Sequence, residues 1–207
     1  MYLIVRFYLM HNIPQSTILI VIFTLTVFLS SFLTSASAQS DLPEKALTAF
    51  QNFTSMNESQ RMSAAANMTS NEREMVMMGA AQIKQGVNET IAGMSPQELE
   101  KATIILLRFG NFTNHQNGTQ VQGLAKILSV NDNQFLRFEH FNITNGPDLH
   151  VYFTNGEDIQ SGKDLGALKG NIGPQNYFLG DFANQYDTVL IASKPFNTIF
   201  ASSTLKS

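Results

Sequence analysis

The 207-residue chain has no cysteine. That one absence excludes disulfides, thiolate redox chemistry, iron–sulfur clusters and cysteine-ligated zinc. Stability must come from the core alone. Positive charge is sparse too: thirteen Lys and Arg stand against sixteen Asp and Glu, for a net charge of −3. No basic stripe forms and basic residues are not paired with aromatics, so nucleic acid is not an expected partner. No Gly-x-Ser-x-Gly elbow occurs to mark a serine nucleophile. His115, His140 and His150 lack metal-ligand spacing. The sequence therefore points to no catalytic residues, no metal and no cofactor, and the expectation is a protein that is not an enzyme.

What is present begins with a leader. Residues 18–33 carry no charge, and Ala36-Ser37-Ala38 follows. An apolar run before an A-x-A site is the pattern of a secretory signal peptide, cut between Ala38 and Gln39. An uncleaved anchor over residues 16–38 is the alternative, since that span can just cross a bilayer. Either reading places the rest of the chain outside the cytoplasm, secreted or in the cell envelope, with membrane association available through 16–38. Seven N-x-[ST] acceptors follow, at Asn52, Asn57, Asn67, Asn88, Asn111, Asn117 and Asn142. In an exported chain these are candidate glycosylation sites on a solvated surface. The alternative is a polar Asn- and Thr-rich composition that carries no sugar.

Residues 39–101 read as helical, in three or four short helices. Asp41 with Glu44, Asn57 with Gln60, Thr69 with Glu72 and Ser95 with Glu98 each have the capping-box spacing. Pro96 suits a first helical position, and Gly86 and Gly93 suit breaks. Leu42, Ala46, Leu47, Phe50 and Phe53 fall on one helical face. All seven methionines beyond the leader lie between Met56 and Met94. Thioethers suit Cu(I), but Met68, Met75 and Met78 lie near one stripe, which suits packing.

From Thr103 onward the pattern is short β-branched and aromatic runs split by Gly and Asn. Strands are predicted at 103–109, 119–130, 134–141, 148–154, 175–179, 187–194 and 196–201. The fold class is α+β: N-terminal helices, then an antiparallel sandwich or barrel of about seven strands. The expected organisation is leader 1–38, helical segment 39–101 and β domain 102–207. A slip in alternation at Gly123 predicts a bulge there.

In the run Asp148 to Phe153, Leu149, Val151 and Phe153 share one face, and Asp148, His150 and Tyr152 share the other. The polar set reads either as a proton or electron relay or as a structural hydrogen-bond network. In the run Asp187 to Phe196, Ser193 projects with Val189 and Ile191, so its hydroxyl is expected to be at least partly buried and hydrogen-bonded.

Three blocks stand in order: NGPDLHVYFTNG from Asn145, DLGALKGNIGPQNYFLGDF from Asp164 and YDTVLIASKPFNTIFASSTL from Tyr186. Together they resemble the DM13 domain, a small module described as an extracellular electron-transfer domain. The resemblance covers about residues 104–205. The positions that match its motifs are Pro147, Asp148, His150, Tyr152, Tyr177, Ser193, Lys194 and Phe196. Members of that family usually carry one cysteine in a block resembling VxIWCKPF, and here Ser193 takes the cysteine's place. The resemblance implies the fold, and its name implies an electron-transfer accessory role. With no thiol, the favoured reading is a non-enzymatic surface binding module, whose partner is an envelope protein or surface ligand. Met-based copper binding is a third reading.

Overall fold

The computed structural model describes residues 41–207. The leader, its cleavage site and the anchor alternative lie outside the described residues. Among those residues no helix is long and apolar enough to cross a membrane.

Four α-helices come first: α1 Leu42–Thr54, α2 Glu58–Asn67, α3 Ser70–Ala81 and the single turn α4 Pro96–Leu99. The capping boxes at Asn57, Thr69 and Ser95 are formed. Asn57, Thr69 and Ser95 each accept from the backbone N–H three residues on, and Gln60, Glu72 and Glu98 reach back. Each box satisfies backbone donors that the first helical turn leaves open. α4 stops after one turn, because the chain must extend at Ile104 to enter the first strand. Between α3 and α4 the chain is irregular, with one 3-10 turn at Ile91–Gly93. Val87 and Glu89 donate to the Ile172 and Pro174 carbonyls at 2.8 and 2.9 Å.

Nine strands follow: β1 Ile104–Asn111, β2 Thr113–Asn114, β3 Val121–Val130, β4 Asn133–Ile143, β5 Leu149–Thr154, β6 Lys163–Ala167, β7 Gln175–Phe178, β8 Thr188–Ser193 and β9 Thr198–Thr204. They form two antiparallel sheets, ordered β1-β3-β4-β7 and β2-β9-β8-β5-β6. The architecture is an open sandwich, not a closed barrel, with nine strands where the pattern suggests seven. The two extra strands are β2, only two residues long, and β6, whose Lys-Asp-Leu-Gly-Ala sequence has no β-branched residue. At Gly123 the β3–β4 register slips, and φ there is +122°. An added Cβ would sit 2.8 Å from the Phe141 Cα, so the bulge needs glycine.

The main core fills the space between the sheets. Ile127, Leu136, Val151, Phe153, Val189 and Ile191 are fully buried in it. Phe112, Phe138 and Phe141 form an aromatic trio with centroids 4.9–5.0 Å apart. Such contacts add to their area burial. A second cluster joins helices to sandwich: Phe53, Ala65 and Val76 pack with Phe196, and Phe53 stacks on Phe196 at 5.4 Å. Met77 touches both clusters. The buried stripe of α3 is Val76, Gly79 and Ala80, so Met75 and Met78 only flank it. Residues Pro43–Ser207 form one compact unit.

Candidate functional site

The motif positions converge on one end of the five-stranded sheet. The turn through Gly146 and Pro147 leaves Asp148 in the left-handed region, at φ +52°, a conformation that Asp tolerates better than most residues. β5 then runs between β8 and β6. Leu149 pairs with Ser193 and His150 pairs with Ala192. Cross-strand partners share a face. Ser193 is thus on the inner face with Leu149, and His150 is on the outer face.

Ser193 is fully buried, and its hydroxyl donates to the Pro147 carbonyl at 2.6 Å. With its proton committed to a backbone acceptor and His150 across the sheet, Ser193 has no arrangement for nucleophilic attack. The same hydrogen bond ties the end of β8 to the turn that presents Asp148. His140 is exposed on β4.

On the outer face, α2 supplies Glu58 and Arg61. Arg61 Nε lies 3.0 Å from Asp148 Oδ2. Asp148 Oδ1 lies 3.7 Å from His150 Nε2, an ion-pair distance beyond hydrogen-bond range. His150 Nδ1 lies 2.9 Å from both Asp164 oxygens. Asp164 Oδ2 lies 3.3 Å from Lys194 Nζ, and Lys194 reaches Glu58 at 2.9 Å. With His150 protonated, charge alternates around the whole circuit: Arg61, Asp148, His150, Asp164, Lys194, Glu58. The circuit begins and ends on α2. The helical layer is therefore laced to the sheet by charge and stapled to it by Phe53 on Phe196.

The titration of these groups reflects the alternation. Asp148 is held below the ordinary carboxylate value by His150 and Arg61, against the opposing effect of burial. His150 is raised by Asp148 and Asp164, again against burial. For Asp164, burial works to raise the value, and His150 with the Gly166 N–H outweighs it. Lys194 is raised by Glu58 and then Asp164. Tyr152 is pushed up to about 12, chiefly by burial, and its ring lies 6.2 Å from that of His150.

Seven of the eight motif positions meet here. Tyr177 does not. It lies on β7 in the other sheet, donates to Gln175 Oε1 at 2.8 Å and accepts from the Lys169 N–H at 3.2 Å. Glu58, Arg61 and Asp164 are participants that sequence reasoning missed. The i, i+3 spacing of Glu58 and Arg61 was the one local sign. Among the described residues no group of three or more His, Asp or Glu is placed to hold a metal. Met68, Met77 and Met78 share the lining of one cavity of about 590 Å³ with Phe200.

Two surface features complete the picture. All seven sequon asparagines are exposed. Exposed apolar side chains collect on β1, the edge strand of the four-stranded sheet: Ile104 at 38%, Ile105 at 52%, Leu106 at 50% and Phe109 at 46%. Of these, Phe109 is bridged on its outer side by Lys206.

A family model described as Electron transfer DM13 matches residues 111–205. Comparisons with curated proteins and with solved structures find no match. The match spans β2 through β9, and it ends one residue beyond the last strand. Residues 111–205, which carry Asp148, His150, Asp164, Lys194 and the buried Ser193, are thus matched by the DM13 family model, while Glu58 and Arg61 lie outside it.

Proposed function

We propose that this is an exported cell-envelope protein whose DM13 domain works as a non-enzymatic surface binding module. The observation that carries the reading is the apolar edge strand β1. Soluble proteins blunt their sheet edges with charge, proline or bulges, because open edges recruit other strands. β1 has a bulge between Leu106 and Arg108, yet Ile104, Ile105 and Leu106 stand exposed ahead of it. The partner that fits is an extended segment of an envelope protein, added as a strand with apolar side chains over Ile105 and Leu106. The seven exposed sequons support the exported setting.

The test is binding of the purified protein to washed envelopes from source cells. Ile105→Lys and Leu106→Lys should each lower it about tenfold or more, a loss of about 1.4 kcal/mol. A charge placed on the outer surface of α1 should not. Unchanged binding by both edge variants would contradict the reading.

The family's description supports a second reading, an extracellular electron-transfer accessory. In this chain that role has to work without a thiol, since position 193 is a buried serine. The shared methionine cavity supports a third, soft-metal binding, because thioethers suit Cu(I).

A further inference from the structure

The most exposed large apolar side chain among the described residues is Phe178, at 61%. It lies on β7, at the opposite edge of the four-stranded sheet from β1. Its ring packs against Phe135 on β4, directly across the strands, with centroids 5.5 Å apart. The two rings line a cleft of about 460 Å³ together with Asn88, Thr90, Ala92, Lys169 and Asn176.

Asn88 opens the sequon Asn88-Glu89-Thr90. Its side chain is exposed, and among the described residues no hydrogen bond engages its amide, unlike Asn57 and Asn67, whose amides cap or brace helix α2. The backbone beneath it is fixed. Glu89 is held by Lys169 at 2.8 Å and by the Asn176 N–H at 2.7 Å, and its own N–H donates to the Pro174 carbonyl. The Thr90 hydroxyl donates to the Met94 carbonyl at 2.7 Å. A group attached to Asn88 is thereby confined to the neighbourhood of the cleft.

We propose that Asn88 carries an N-linked glycan whose first sugar ring seats on the exposed face of Phe178. The attachment is amide glycosylation by a lipid-linked oligosaccharide. Asn88 Nδ2 loses a proton and bonds to the anomeric carbon, and the lipid phosphate departs. The chemistry of the seat fits a pyranose. The axial C–H groups of the ring make an apolar patch that covers an aromatic face, while its hydroxyls turn to water and to Lys169. Without that cover, a large aromatic side chain stands in solvent on a sheet edge, where it invites association. The inference rests on the exported, glycosylated reading.

The test uses the full chain, secreted from a host that performs N-glycosylation. Glycopeptide mass spectrometry reads occupancy at each sequon, and thermal unfolding compares wild type with Asn88→Gln and with Asn52→Gln as a control. Removing the Asn88 glycan should lower the midpoint by about 2–4 °C, the shift that about 1 kcal/mol gives in a protein of this size. Removing the Asn52 glycan should leave it unchanged. In a Phe178→Ser background, the Asn88 effect should disappear. The protons of the first sugar should also show upfield ring-current shifts that Phe178→Ser abolishes. If other sequons are occupied and Asn88 is bare, or if the Asn88 effect survives Phe178→Ser, this inference fails and the glycoprotein reading stands. If no sequon is occupied, both fail.

Discussion

Arg61 and Asp148 stand 3.0 Å apart across 87 residues of sequence. The pair joins a helix outside the family match to the turn that opens β5, within it. Asp148 occupies a strained backbone conformation there, with φ at +52°. The pair and the Ser193–Pro147 hydrogen bond hold that turn from its two sides.

Breaking the pair should therefore cost more than a surface ion pair does. Arg61→Ala is expected to lower unfolding free energy by about 1–3 kcal/mol, the range for a part-buried group left without its charged partner. Asp148→Asn should cost less than Arg61→Ala if the backbone strain persists in both. A double-mutant cycle in urea isolates the coupling. Loss within a few tenths of a kcal/mol for Arg61→Ala would show that the Arg61–Asp148 pair does little to hold the helical layer.

The circuit also sets a pH dependence. His150 is raised above its ordinary value of 6.5 in the folded protein, so its contribution is fully present below 6.5 and is lost as pH climbs through the raised value. Asp148 and Asp164 are lowered from 3.8, so theirs is present above 3.8 and is lost as pH falls through the lowered values. Stability should be greatest between these limits and should decline on the alkaline side. The decline should vanish in His150→Gln. Urea midpoints measured from pH 5 to pH 9 for both forms check this. A wild-type midpoint that rises through that range would contradict the charged state of His150.

Ser193→Cys should fold. The change is modest in size, with an expected cost of about 1 kcal/mol, typical of point substitutions. The new thiol should be nearly inert in the native protein, because burial in apolar surroundings disfavours the thiolate. Maleimide labelling should track unfolding, not solvent pH. Rapid labelling of the folded variant at neutral pH would mean that the end of β8 opens readily.

Much of this layout is legible in the sequence, and the limits are physical. Capping boxes are local, so Asn57, Thr69 and Ser95 reveal themselves. Alternation with period two reveals the inner and outer faces of β5 and the bulge at Gly123. β6 is invisible because Lys163 to Ala167 owe their strand state to pairing with His150, Tyr152 and Phe153, not to their own propensity. The charge circuit is invisible for a similar reason. No local pattern says which face of the sheet receives α2, so Glu58, Arg61 and Asp164 cannot be assigned to His150 and Lys194 before the fold is known. The seam near residue 101 is the subtlest case. A change of periodicity marks it in the sequence, yet Met77 and Phe196 pack across it.

Binding without electron transfer is the role proposed for this domain. Protein-film voltammetry on the purified, metal-free chain tests it most directly. No reversible couple is expected, because the chain has no cysteine and the Tyr152 phenol, pushed up to about 12, resists the deprotonation that would ease its oxidation. A reversible couple in that protein would contradict it, and loss of the couple in Tyr152→Phe would identify the carrier.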